Sequence, residues 1–215
     1  MTAKEKNILL KENFLKSKNK TYQTFVNYIA EDFRTIDADT PHEYIKICWD
    51  RYKQCPKPMG DQQRQALNGK MFEVIVETCL YREKILPMFL QANVTFVPNV
   101  DFDVILFNGD KHAPIAISLK TSLRERYKQA DLEAIALKYV HRNAENYLIG
   151  LSSYEIESVK EKLKSGDLLG LNHIIAADTQ EFDEFIKEIK NINLICPEKV
   201  DIVKGEIIKK RDETQ

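Results

Sequence analysis

Residues 102–120 constrain the fold more than any other stretch of the chain. Two apolar, β-branched segments, Phe102–Phe107 and Ala113–Leu119, flank Asn108-Gly109-Asp110. Asn-Gly is favoured where both residues of a tight turn take positive φ, so the stretch predicts an antiparallel hairpin. A turn near residue 109 brings Asp103, at the start of the first strand, and Lys120, at the end of the second, to the same open end.

The rest of the chain predicts helices and strands around that hairpin. Residues 63–83 place Phe72, Val76, Cys79 and Leu80 on one helical stripe. Val94–Val97 is a short apolar, strand-like segment. Residues 122–142 place Leu123, Tyr127, Ala130, Ala134 and Leu137 on one helix face. Tyr147–Leu151 and His173–Ala177 predict strands, followed by helices at 153–164 and 179–190. This order predicts an α/β fold with a mixed central β-sheet flanked by helices. The tail, 198–215, is expected to add one strand or helix. Upstream, residues 4–18, 21–33 and 42–53 predict short amphipathic helices, with Thr21 and Thr40-Pro41 starting the second and third. Cys55–Gln62, with two prolines and a glycine, is the best candidate boundary. It divides a helical N-terminal segment, 1–60, from a core, 61–215.

Composition narrows the function classes. A length of 215 residues suits one such domain. The net charge of −1 announces no polyanion partner, so any such surface must be local. Two local excesses exist: +3 over Lys120–Lys128 and +4 over the first twenty residues. The four cysteines form no C-x-x-C pair and have no zinc spacing with a histidine, as free thiols of a reducing compartment would. No signal peptide and no apolar run of ~18–20 residues is present, so a cytoplasmic protein without a membrane partner is expected. The four histidines are scattered and no Gly-rich phosphate loop occurs, which disfavours a histidine-based nuclease site and a nucleotide hydrolase.

Asp103 and Lys120 together suit phosphodiester hydrolysis. A carboxylate holds a divalent cation such as Mg²⁺ through its oxygens. The cation acidifies a bound water, and the ammonium orients that water or offsets transition-state charge. Asp101 competes with Asp103 for the metal role; Asp103 is preferred because the apolar run begins directly after it. A second carboxylate is missing from the strand, where Ser118 stands two residues before Lys120. Glu133, thirteen residues after Lys120 and about three turns into the next helix, is a candidate to supply it.

Ser118-Leu119-Lys120 followed by Glu133 resembles the permuted active site of one branch of the PD-(D/E)xK restriction endonucleases. That branch includes the EcoRII catalytic domain, PspGI, SsoII and NgoMIV. Arg124-Glu125-Arg126, then Tyr127-Lys128-Gln129, is similar to its base-reading segment. Gln62-Gln63-Arg64 and Gly69-Lys70-Met71-Phe72-Glu73 look like the segment that opens its catalytic core, although Gln65 and Leu67 stand where relatives tend to carry arginines. The resemblance spans roughly residues 62–150.

The resemblance implies a restriction-endonuclease-like core with an N-terminal helical extension. It implies Asp103 and Glu133 as metal ligands, assisted by the Leu119 carbonyl, with Lys120 catalytic and Glu73 close by. Arg124, Glu125, Arg126 and Gln62 would read bases. Arginine offers a bidentate fork to guanine and a carboxylate accepts from cytosine, which points to a site built on CC and GG. The implied protein is a Mg²⁺-dependent type II homodimer. It would cut double-stranded DNA at a palindrome such as CCGG, CCNGG or CCWGG. A DNA methyltransferase would be its functional partner rather than a physical one. Residues 1–60 match no pattern and are expected to grip DNA or form the dimer. Tyr22, Phe25, Tyr28 and Phe33 read as core or as a base-stacking set, and Trp49 as a core anchor. Two other readings stay open: a non-cleaving DNA-binding protein on the same fold, and a repair or modified-DNA nuclease.

Overall fold

The computed structural model describes residues 7–56, 60–97, 99–151, 153–197 and 202–208. The hairpin forms as expected. Strands β2 (Phe102–Asn108) and β3 (Ala113–Lys120) pair antiparallel, from Val104 opposite Ile117 to Asn108 opposite Ala113. The Asn108 side-chain oxygen accepts the N–H groups of Asp110 and Lys111 and closes the turn. These strands are central in a six-stranded mixed sheet of order β5-β4-β3-β2-β1-β6. The others are β1 (Met88–Val94), β4 (Glu145–Gly150), β5 (His173–Ala176) and β6 (Ile202–Ile208). β3, β4 and β5 run parallel, and the remaining neighbours antiparallel.

The strand expected at Val94–Val97 instead ends at Val94 and begins at Met88. Gln91 and Asn93 interrupt the apolar run there, so the segment lacks the continuous apolar signal of the other strands. From the tail, β6 pairs along β1.

Helices cover both sheet faces because alternate strand residues enter different clusters. Ile115, Ile117 and Leu119 of β3 share one with Phe72 and Val76 of α4 (Asp61–Arg82) and Phe182 and Phe185 of α7 (Gln180–Lys190). Ala116 packs with Ile105 and with Leu137 of α5 (Arg126–Val140). Ala130 and Ala134 of α5 meet Leu148 of β4 and Ile156 of α6 (Ser153–Lys164). These two opposed layers bring α4 and α5 to opposite sides of the same strand ends.

The N-terminal segment differs from expectation. Helix α1 is only Ile8–Lys11, where 4–18 was expected; residues 4–6 lie outside the described residues. Asn19, not Thr21, caps α2 (Lys20–Thr24), which continues as a π-turn over Phe25–Ile29. A 3₁₀ turn covers Phe33–Thr35. Helix α3 (Pro41–Lys53) starts where predicted, with a reciprocal capping box between Thr40 and Glu43. Phe25, Phe33, Tyr44 and Cys48 lie in the same buried cluster as α4. Trp49 packs on Tyr52 and Phe72. Phe25 and Phe33 are therefore core residues, whereas Tyr28 is partly exposed.

Helix α5 starts at Arg126 rather than 122. It is fixed by Asp131, whose buried carboxylate accepts the N–H groups of Leu169 (3.2 Å), Gly170 (2.8 Å) and Leu171 (3.0 Å). The chain passes so close that a Cβ on Gly170 would sit 2.3 Å from the Asp131 carbonyl oxygen and 2.5 Å from the Ile135 nitrogen. Backbone atoms cannot yield as a flexible side chain can. Gly170→Ala is expected to lower unfolding stability by at least ~2 kcal/mol in urea denaturation; an unchanged midpoint would refute this close approach.

Candidate active site

Pairing between β2 and β3 stops at Val104 and Ile117. One residue further out, the Asp103 carboxylate takes the place of a strand partner. Its Oδ2 accepts the Leu119 N–H at 2.7 Å and lies 3.0 Å from Lys120 Nζ. Both side chains are largely buried. Asp101 lies exposed ahead of the strand. The hairpin thus brings together Asp103 and Lys120 and leaves Asp101 outside the pair.

Glu73 approaches from the middle of α4. Its Oε2 is 2.7 Å from Lys70 Nζ and 3.2 Å from Gln91 Nε2. Gln91 Nε2 also lies 3.4 Å from Asp103 Oδ1. Burial raises the Glu73 pKa, and the Asp103 carboxylate pushes it further up, against Lys70 and Lys120. Gln91 was not among the residues expected from sequence. A glutamine inside a strand carries no site signal, and only the fold places it opposite Asp103.

Glu133 is half-buried on α5, and its Oε1 is 2.7 Å from Gln129 Nε2. Burial raises its pKa; Gln129 and Lys120 act against this, and Asp103 adds to it. Glu133 therefore lies in the field of the Asp103–Lys120 pair, while its carboxylate is hydrogen-bonded within its own helix.

Arg124, Glu125 and Arg126 are exposed at the turn into α5. Glu125 forms an ion pair with Lys128 at 2.6 Å. The turn is held from below: the Leu123 side chain is buried and its N–H donates to Glu155 Oε2 of α6 at 2.6 Å. Ser122 reaches the other Glu155 oxygen at 3.3 Å. Glu155 was also not foreseen, since an acid in a first helical turn is ordinary. Gln62 is exposed in the first turn of α4, about 16 Å of helix rise from Glu73, and is not part of this cluster.

The donors around Asp103 are hard oxygens, the kind Mg²⁺ takes. Among the described residues no three His, Cys, Asp or Glu side chains are gathered tightly enough to hold a metal ion. The carboxylates of Asp103 and Glu133 are of the oxygen type that Mg²⁺ takes together with main-chain oxygen and water.

Glu77, one turn beyond Glu73, is fully buried, and neither carboxylate oxygen has a hydrogen-bond partner. Burial pushes its pKa from 4.5 to about 8, against the pull of Lys70. The folded protein therefore holds this proton over a pH range in which the unfolded chain has lost it. The stability contributed by the proton is complete below pH 4.5 and is lost as pH rises towards 8. Glu77→Gln removes the titration. Melting temperatures across pH 5–9 should favour the variant increasingly with pH, by on the order of 3 kcal/mol or more over the window. A difference independent of pH would contradict the buried acid.

No protein-family model matches the chain, and no curated protein does. Two solved structures match it. Restriction endonuclease PspGI, in complex with substrate DNA, is 19% identical with a TM-score of 0.51, over 84% of this chain and 79% of that one. Metal-depleted Ecl18kI, bound to uncleaved, modified DNA, is 17% identical with a TM-score of 0.48, over 83% and 80%. The mixed sheet flanked by helices that carries Asp103 and Lys120 is a restriction-endonuclease-like fold, similar to that of PspGI.

Proposed function

We propose that the protein is a Mg²⁺-dependent, site-specific endonuclease of double-stranded DNA. The observation that carries this reading is the buried Asp103–Lys120 pair at the open end of the central hairpin, with Glu73 and Glu133 in its field. The same fold in PspGI, described in complex with substrate DNA, supports it.

Asp103 and Glu133 would hold the ion, with the Leu119 carbonyl. Bound Mg²⁺ supplies an acidified water and charge neutralisation at the scissile phosphate. Lys120 orients the attacking water and offsets the negative charge that builds on the pentacovalent phosphorus. Its burial beside Asp103 keeps it in place, because an ammonium removed from bulk water is held by its carboxylate partner. Lys70 does the same for Glu73. As water attacks, the bond from phosphorus to the leaving oxygen breaks, and that oxygen takes up a proton.

Arg124, Glu125 and Arg126 stand exposed on a braced turn and enter the major groove, while Lys128 and the N-terminal lysines contact phosphates. Two arginines around one glutamate suit adjacent G·C pairs, hence sites of the CCGG, CCNGG or CCWGG type. Gln62 at the start of α4 adds a further base contact. A palindrome has two-fold symmetry, so a homodimer supplies one active site per strand. The segment 1–60 helps to grip DNA or to join the protomers. A methyltransferase of matching specificity protects the host sites.

Lys120→Ala should abolish plasmid cleavage with Mg²⁺ while leaving specific DNA binding in a mobility-shift assay. Full cutting by that variant would sink the assignment. Arg124→Ala and Arg126→Ala should each lose about 1–3 kcal/mol of discrimination between cognate and single-base-changed duplexes. Unaltered site preference would remove the triplet from the groove.

A further inference from the structure

Strand β1 is irregular against β6 at its centre. Leu90 pairs with Glu206 and Asn93 with Lys204, so three steps on β1 match two on β6; the next step, to Val94 opposite Ile202, restores the register. The first shift falls at Gln91–Ala92. The packing records the same slip. Phe89, Ala92 and Val94 all enter one buried cluster, which strict alternation forbids between residues 89 and 92. Gln91 takes φ 49°, in the left-handed region that costs a residue with a Cβ roughly 1–2 kcal/mol. Bulges of this kind re-aim a side chain.

The re-aimed side chain is the one between the two acids. The flanking pairs Leu90–Val104 and Ala92–Phe102 set Gln91 opposite Asp103. Its Nε2 lies 3.2 Å from Glu73 Oε2 and 3.4 Å from Asp103 Oδ1. Each carboxylate already has an ammonium partner: Lys70 for Glu73 and Lys120 for Asp103. A carboxamide carries two N–H protons and no charge, so it can donate to two acids that would otherwise face each other.

We propose that Gln91 is a positioning residue of the active site, its amide holding the Glu73 and Asp103 carboxylates in one mutual orientation, and that the β1 bulge is what presents it. The inference rests on the nuclease reading above. Gln91 does not touch DNA or the reacting phosphorus. It acts through Asp103, whose free oxygen it orients, and through Glu73.

Glycine separates this role from a structural one. Gln91→Gly deletes the amide and also relieves the left-handed backbone, so a purely structural residue would yield a variant as stable and as active as the parent. The expected result is different. Melting temperature and DNA affinity without Mg²⁺ should stay the same or rise, while the single-turnover cleavage rate falls about 10–100-fold, as it does when a carboxylate ligand loses its supporting partner. Mg²⁺ affinity of the protein alone, by titration calorimetry, should fall in the same sense. Gln91→Glu keeps the length but loses the donors and should lose at least as much.

Cleavage and Mg²⁺ affinity unchanged in Gln91→Gly would overturn the role. So would a loss of activity matched by a loss of stability. Should the unsubstituted protein bind Mg²⁺ but not cut, the calorimetric comparison decides. If it neither cuts nor binds Mg²⁺, the nuclease reading falls and this role with it. Normal cutting by the parent beside an unaffected glycine variant removes Gln91 alone.

Discussion

The structure turns on one carboxylate that finishes a hairpin. Where β2 and β3 stop pairing, Asp103 accepts the Leu119 N–H and meets the Lys120 ammonium. A buried N–H left without an acceptor costs on the order of 1–3 kcal/mol, and a buried ammonium without a counter-charge costs more. Asp103 satisfies both, so the pair that suits the chemistry also closes the sheet. Either partner alone would be an unpaired buried charge.

The remaining acids arrive because the sheet is covered on both faces. Helix α4 lies over the cluster of Ile115, Ile117 and Leu119 and carries Glu73. Helix α5 lies over Ala116 and Leu148 and carries Glu133. Glu73 is linked to Asp103 through Gln91, while Glu133 lies in the field of the pair and bonds to Gln129 of its own helix. Burial raises the pKa of both, and Lys120 counters it in both. Anchors outside the site fix these helices: Asp131 ties α5 to residues 169–171, and Phe72 meets Trp49 of α3.

The hairpin was legible because Asn108-Gly109 and two β-branched runs are local signals, and Asp103 with Lys120 followed from the turn alone. Helix α4 was legible because it is long and periodic. Thr40-Pro41 was legible because a threonine cap followed by proline is a local signal for a helix start. What escaped is non-local. Met88–Val94 is a strand whose apolar run two polar residues interrupt. Asn19 replaced Thr21 because both residue types cap, and only the packed position chooses between them. Gln91 and Glu155 are ordinary polar residues until the fold sets them beside Asp103 and Leu123.

The brace under the turn into α5 has a consequence for how such a protein can change. Glu155 belongs to α6, after β4. It grips Ser122 and Leu123, the base from which the Arg124–Arg126 triplet projects. Asp103 and Lys120 are thus fixed on strands, whereas the exposed triplet stands at a turn that α6 supports. A change in α6 can therefore re-aim that turn while Asp103 and Lys120 keep their places on β2 and β3.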